Sequence, residues 1–174
     1  VEALVLPRRV QGLRVGGGGC AGGVEVAGDE LYQSYIGSSA NPGYRDFAIT
    51  AEMVRGREVS KHVSFDVNPS SRAMLQTLAR DNLLGPLIAS GARLHQAGCN
   101  GCIGMGQAPA YKRNSLRTTP RNFPGRSGTK EDSVFLCSPE TATASALMGK
   151  ITDPRTLDFE YPKVSNPDDP VVND

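Results

Sequence analysis

From Glu30 onward, short apolar runs and longer helix-like stretches take turns along the chain. Leu31 to Ile36 is apolar and aromatic and ends at Gly37, which predicts a buried strand. Asn41-Pro42 reads as an N-cap followed by a first helical residue, and the helix it opens is expected to run from Pro42 to Arg55 and stop at Gly56. His62 to Val67 predicts the next strand, and Pro69-Ser70-Ser71 opens a helix through Leu78. Leu83 to Ala89 reads as a short helix closed by Gly91, and Ala92 to Gln96 as a third strand. Ser115 to Thr119 and Ser133 to Cys137 supply two more strands. Ser138-Pro139-Glu140 begins a helix through Met148 that Gly149 closes, and its alanine-rich face predicts close packing on a sheet.

Strand and helix in alternation predict an α/β fold, a three-layer αβα arrangement with a mainly parallel sheet. Such sheets bind ligands beyond the carboxyl ends of their strands. Three segments are expected there: Gly37 to Asn41, Gly98 to Gly106 and Pro120 to Gly128. The strand order is not readable from the pattern.

The ends of the chain look different from its middle. Gly16 to Gly19 is a four-glycine run with Gly22-Gly23 close behind. No Gly-Lys-Ser/Thr ending or helical pattern follows it, so a flexible segment over 1–23 is favoured over a phosphate loop. After Asp153 the chain is proline- and acid-rich, and 154–174 is expected to be a linker leading away from a domain at 24–153. The 174 residues suffice for one domain with a real core. With 39% hydrophobic and 21% charged residues, the composition is not that of a disordered tail. No run of 18 apolar residues is present, and no basic-then-apolar leader opens the chain, so a cytoplasmic setting without a membrane partner is expected.

The net charge of +1 hides a division: residues 1–30 carry −1, residues 31–152 carry +6 and residues 153–174 carry −4. The middle segment is therefore where an anionic partner would bind. Lys112, Arg113, Arg117, Arg121, Arg126 and Lys130 fall within nineteen residues with no acid among them. Arginine holds carboxylate or phosphate bidentately, which suits a small polyanion. Nucleic acid is the rival, and Tyr111 and Phe123 are thin aromatic support for it.

Cys99-Asn100-Gly101-Cys102 is the sharpest local signal. Two cysteines three apart can ligate one metal centre from one turn, and Gly98, Gly101, Gly104 and Gly106 let backbone approach a bulky cluster. No second cysteine pair completes a zinc set, and the aromatic or proline neighbours of a thioredoxin-type pair are absent. Spacing alone leaves a metal or cluster site, a redox pair and two incidental thiols all open. His95 is expected to be a satisfied histidine of a strand, His62 to be exposed, and Cys137 to be a buried structural thiol. Cys20 has no ligand-like surroundings.

Taken in order, these motifs resemble the aconitase superfamily, specifically its third, cluster-bearing domain, from about Val24 to Asp153. Ile36-Gly37-Ser38-Ser39-Ala40-Asn41 resembles the family's Gly-Ser-Cys-Thr-Asn loop, and Gly98-Cys99-Asn100-Gly101-Cys102-Ile103-Gly104 its Cys-Gly-Pro-Cys-Ile-Gly loop. Arg121-Asn122-Phe123-Pro124-Gly125-Arg126 resembles its Arg-Asn-Phe-x-x-Arg segment, and Ser138-Pro139-Glu140 its Ser-Pro-Glu turn. The resemblance implies that Cys99 and Cys102 ligate a [4Fe–4S] cluster and that Arg121 and Arg126 bind substrate carboxylates. It implies reversible dehydration and rehydration of a hydroxy-tricarboxylate, an aconitate hydratase type of hydro-lyase reaction. It also implies that the base and further domains, or a small subunit, lie outside this chain. Ser39 stands where the family has its third cysteine, and a hydroxyl is a poorer iron ligand than a thiolate. Pro120 stands where the family has asparagine. Ser39 therefore sets a second expectation beside the first, a non-catalytic member acting as a binding or regulatory module. RNA binding, known in this superfamily, has only the basic run behind it.

Overall fold

A computed structural model of the chain describes residues 11–14, 19–21, 26–40, 42–130, 133–167 and 169–171, the first two stretches as backbone alone. The expected alternation is present. In chain order, β1 (Gln11–Arg14) and β2 (Gly19–Ala21) precede β3 (Gln33–Gly37), α1 (Tyr44–Val54) and β4 (Ser64–Asn68). Then come α2 (Arg72–Arg80), α3 (Leu84–Ala89), β5 (Arg93–Leu94), β6 (Asn114–Arg117), β7 (Ser133–Leu136) and α4 (Pro139–Met148). The sheet order is β2-β1-β7-β6-β3-β4-β5. The five strands from β7 to β5 are mutually parallel, and β1 and β2 add antiparallel to the β7 edge.

Within segment 1–23 the two described pieces are thus strands, and the rest of that expected flexible stretch, the Gly16–Gly18 run included, lies outside the described residues. Cys20 is in β2, where only the backbone is described.

Each central strand has two chemically different faces, because successive side chains point to opposite sides. Ile36, Phe65, Val67, Leu116 and Phe135 join Phe47, Ala51, Val54, Leu78, Leu87, Ala142 and Ala146 of the helices in one apolar core. The opposite face carries Gln33 and Tyr35 of β3, Asp66 and Asn68 of β4, and Ser115 and Arg117 of β6, all buried and all polar or carrying a polar tip. Helices cover the first face. The second is covered by the irregular segment 95–113, so the three layers are helix, sheet and a largely loop-built layer.

The helix limits follow local chemistry. The helix expected from Asn41-Pro42 starts two residues later: Gly43 is its N-cap, and its N–H donates to the Asp46 carboxylate at 2.9 Å. A carboxylate in the first turn satisfies an orphan donor there and opposes the positive end of the helix dipole. Asn41 itself lies outside the described residues. Ser71 and Ser138 cap α2 and α4 by accepting from Met74 N–H (3.1 Å) and Thr141 N–H (3.2 Å). Gly149 closes α4 in a left-handed conformation, φ +73°.

After Asp153 the chain returns to the body of the molecule. Leu157, Phe159 and Val164 pack against Ile49, Met53 and Ala144. The Arg57 guanidinium lies 4.1 Å from the centre of the Phe159 ring, and the Tyr161 hydroxyl donates to Glu140 at 2.9 Å. The proline and acid content that predicted a departing linker is outweighed locally by these apolar and aromatic anchors. Among the described residues no helix is long and apolar enough to cross a membrane.

Candidate functional site

The chain runs β3, β4, β5 in one direction across the sheet, then returns to place β6 on the other side of β3 and β7 beyond it. The point where the order reverses lies between β3 and β6, the place in such sheets where loops leaving the carboxyl ends diverge and ligands bind. Ser38 to Ala40 leaves β3 there, 118–128 leaves β6, and the cysteine loop follows β5. The three segments expected at the carboxyl ends are at the carboxyl ends.

Two glycine contacts fix how these loops meet. Gly37, at φ +127°, ends β3 so close to β4 that a β-carbon would stand 1.9 Å from the Asn68 carbonyl oxygen. At Gly104, φ +81°, a β-carbon would stand 2.6 Å from the Gly128 α-carbon, so the cysteine loop and the Arg126 loop touch backbone to backbone.

Cys102 lies within a single 3-10 turn at Gly101–Ile103, Cys99 just precedes it, and their sulfurs are 3.0 Å apart. Cys99 is exposed and Cys102 buried. The Cys102 thiol beside it, the Ser39 hydroxyl and the Arg126 charge hold the Cys99 thiol below its usual range. Burial and the hydrogen bond to Cys99 push the Cys102 thiol up to about 11. One thiolate is therefore readily formed and shared by the pair, and a second forms at a high pH unless a cation takes the pair.

Of the residues singled out in the sequence, Ser39, Cys99, Cys102 and Arg126 come together. Arg126 leans on Phe123, 5.9 Å from the ring centre. Its Nε is buried and, among the described residues, has no hydrogen-bond partner; the neighbouring Ser127 hydroxyl is in the same state. Buried polar groups are almost always satisfied, and an acceptor is the partner that both of these take. Arg121 is exposed earlier on the same loop, and among the described residues no hydrogen bond or ion pair joins its side chain to the thiols.

The basic run is divided by the fold. Lys112 rests near Tyr111 (5.0 Å), and Arg113 stacks on Tyr32 (4.1 Å) beside Glu30 (3.9 Å). Arg117 is wholly buried in the polar face of the sheet and is not part of a surface clamp. Six cations in a row therefore do not form one surface, and the contribution of this run to a polyanion site narrows to its Arg121–Arg126 end.

His95 is satisfied, as expected, with Nε2 2.9 Å from an Asp66 carboxylate oxygen. His62 is exposed and contacts Ser60 and the Gly149 carbonyl. Cys137 packs against the apolar core, and burial pushes its thiol far up. Of the polar residues under the cysteine loop, Gln33, Tyr35 and Asn68 were not singled out, and Arg117 only as a member of the basic run. The period-two placement of polar residues at 33 and 35, 66 and 68, and 115 and 117 is the signal that marks them.

Among the described residues no group of three or more His, Cys, Asp or Glu side chains gathers at a metal-binding spacing. The soft donors at this spot are the two thiols, and the Ser39 hydroxyl lies against Cys99. Two thiols and a hydroxyl are donor types by which a soft metal centre can be held, sulfur being the stronger of the two for iron.

The sequence profile of the aconitase family (aconitate hydratase) matches residues 14–149. Among curated proteins, the chain is 41% identical over 133 residues to a 3-isopropylmalate dehydratase large subunit of Methanopyrus kandleri, covering 75% of this chain and 32% of that one. It is 37% identical over 139 residues to the homoaconitase large subunit of Thermus thermophilus, covering 78% and 33%. A 3-isopropylmalate dehydratase large subunit of Archaeoglobus fulgidus is 36% identical over 132 residues, covering 75% and 32%. The chain spans about a third of the length of the curated relatives it matches.

Proposed function

The chain belongs to the aconitase family, and on that premise we propose that it supplies the thiol- and arginine-bearing part of a hydro-lyase acting on a hydroxy-polycarboxylate. The observation that carries this reading is Arg126, whose buried Nε has no partner among the described residues and whose charge acts on the Cys99–Cys102 pair. Relatives named dehydratase and homoaconitase support the reaction type. The finer reading is reversible dehydration and rehydration of a hydroxy-tricarboxylate, as in an aconitate hydratase. Relatives named large subunits support completion of the site by further domains or by a small subunit.

In this proposal Cys99 and Cys102 hold a [4Fe–4S] cluster with Ser39 at the remaining protein corner. When bound, the cluster supplies a Lewis-acidic iron for the substrate's hydroxyl and carboxylate. The chain's own residues do the rest of the positioning. Arg126 takes a substrate carboxylate through Nε and the Ser127 hydroxyl, both held dry by the loop around them. Arg121, exposed at the mouth of the same loop, takes a second carboxylate. The base that removes the carbon-bound proton comes from outside this chain.

The test uses the protein assembled with its missing parts, reconstituted anaerobically with iron and sulfide and assayed on citrate, isocitrate, homocitrate and isopropylmalate. Turnover of one of them is expected, together with near-stoichiometric cluster. A second reading rests on Ser39: a member that binds a carboxylate ligand without turning it over. Ser39→Cys separates the two. If the cysteine variant binds a full cluster and the assembled protein still turns over none of these acids, the enzyme reading fails and the binding module stands.

A further inference from the structure

Gly101, the residue before Cys102, is gripped from both ends of its own backbone. Its N–H donates to the Tyr35 hydroxyl at 3.0 Å, and its carbonyl accepts from Arg117 Nη1 at 2.5 Å. A β-carbon at Gly101 would stand 2.4 Å from the Tyr35 ring, so the turn sits directly on that ring.

Both gripping residues are themselves fixed from several sides. Tyr35 donates its hydroxyl hydrogen to Asn68 Oδ1 at 2.6 Å, and Asn68 Nδ2 donates to the Gln96 carbonyl at the start of the loop, 3.0 Å. The Tyr35 ring lies between the Arg117 guanidinium, 4.9 Å from its centre, and the His95 imidazole, 5.7 Å away. Arg117 spans the loop and the sheet: besides Gly101 it donates to the Gln107 carbonyl (3.1 Å), Gln33 Oε1 (2.6 Å) and Ser115 Oγ (3.0 Å). Gln33 Nε2 in turn donates to Asp66 (3.2 Å), which holds His95. All of these partners on the sheet are buried.

An isolated turn ordering two thiols would be entropically expensive, and a network that pre-orders it shifts that cost to folding. We propose that Tyr35 and Arg117 are positioning residues that hold the Gly101 peptide so that Cys99 and Cys102 are pre-set as a two-sulfur chelate for a thiophilic centre. This rests on the reading of the two cysteines as soft ligands. It also accounts for how a site with an oxygen at its third corner could keep useful affinity, since pre-ordering two ligands offsets the weaker third. A buried guanidinium and a tyrosine hydroxyl would be costly as mere filler against a loop, because each must find partners.

The test is phenylarsine oxide binding to the reduced, metal-free chain. The arsenical takes two thiols: both As–S bonds form, and the two thiol protons leave with the oxide oxygen as water. The wild-type chain is expected to bind one arsenical per molecule, and Cys102→Ser to abolish binding. Tyr35→Phe and Arg117→Lys, which keep the ring and the charge but lose the grip, are expected to weaken binding at least about tenfold. Each variant's thermal midpoint is measured alongside, and the loss of binding is expected in variants that stay folded at the assay temperature. Equal affinity, within about twofold, in folded Tyr35→Phe and Arg117→Lys overturns the proposal. Hydrogen exchange of the Gly101 amide in the wild-type chain decides the matter if a variant fails to fold: protection supports the grip, and exchange at the rate of an unstructured amide overturns it. Because no cluster or turnover enters this assay, failure to reconstitute a cluster would count against the proposed function and leave the grip standing.

Discussion

Arg126 carries the most weight in the proposed function, because its charge acts on both thiols and its buried Nε, among the described residues, has no hydrogen-bond partner. Replacing it with Gln removes a charge-assisted contact worth about 2–3 kcal/mol, so kcat/KM of the assembled protein should fall about 30- to 150-fold. If the rise falls in KM, with kcat little changed, Arg126 acts in ground-state binding; an equal fall in kcat would assign it to the transition state. The thiol pair gives a second outcome. In the metal-free chain Cys99 should be alkylated with a midpoint below the ordinary thiol range, and Cys102 should lag, gaining reactivity only as pH approaches about 11. Peptide mapping after iodoacetamide treatment across pH 6 to pH 11 reads both. That Cys99, Cys102, Ser39 and Arg126 would gather was legible through the family resemblance of three separate loops, while spacing alone marked only the cysteine pair. The burial of Arg117 was not. A cation four residues from both Arg113 and Arg121 looks like one more member of a surface run until the strand's alternation assigns it to the inner face.

At the level of elements, the pattern of apolar runs located every central strand and helix to within a few residues. The start of α1 lies two residues beyond the Asn-Pro signal, because Gly43 takes the cap position and the Asp46 carboxylate three residues on accepts its N–H. Strand order was not legible, since pairing is set by which faces meet after the chain has crossed over and leaves no local mark. The tightest point between elements is Gly37. Gly37→Ala would need a β-carbon 1.9 Å from the Asn68 carbonyl in a left-handed backbone, and both effects add. A loss of about 3 kcal/mol is expected, read as a lower urea midpoint, with larger damage at the mouth of the crevice than in the helices. Gly149 should be more forgiving: its φ of +73° costs an alanine about 1 kcal/mol, and the Ser60 and His62 side chains it would meet at 2.7 Å can rotate away.

For the molecule as a whole, the segment after Asp153 is the part whose composition misled most. Proline and acid predicted departure, while Leu157, Phe159, Tyr161 and Val164 dock on α1 and α4. Ending the chain at Asp153 removes about three partly buried apolar side chains, about 3 kcal/mol in all, which should lower the thermal midpoint by about 6–12 °C. Little change on differential scanning calorimetry would mean that the segment rests on the surface without supporting it. The size of the chain relative to its relatives sets the other whole-molecule expectation. Alone it should show no hydratase turnover, and mixing it with its missing domains or a small subunit should restore turnover, with an apparent affinity between the pieces measurable from the concentration dependence of the rate.

The two-faced sheet has a consequence for how this sequence can drift. On the helix side, Ile36, Phe65, Val67 and Leu116 answer only to volume and shape, and many aliphatic combinations fill the same space. On the loop side, Gln33, Tyr35, Asp66, Asn68 and Arg117 are joined donor to acceptor, so one replacement strands several neighbours at once. Saturation mutagenesis of β3, β4 and β6 should therefore return stripes two residues apart, permissive and intolerant in turn, and variants rescued in the intolerant stripe should come as pairs.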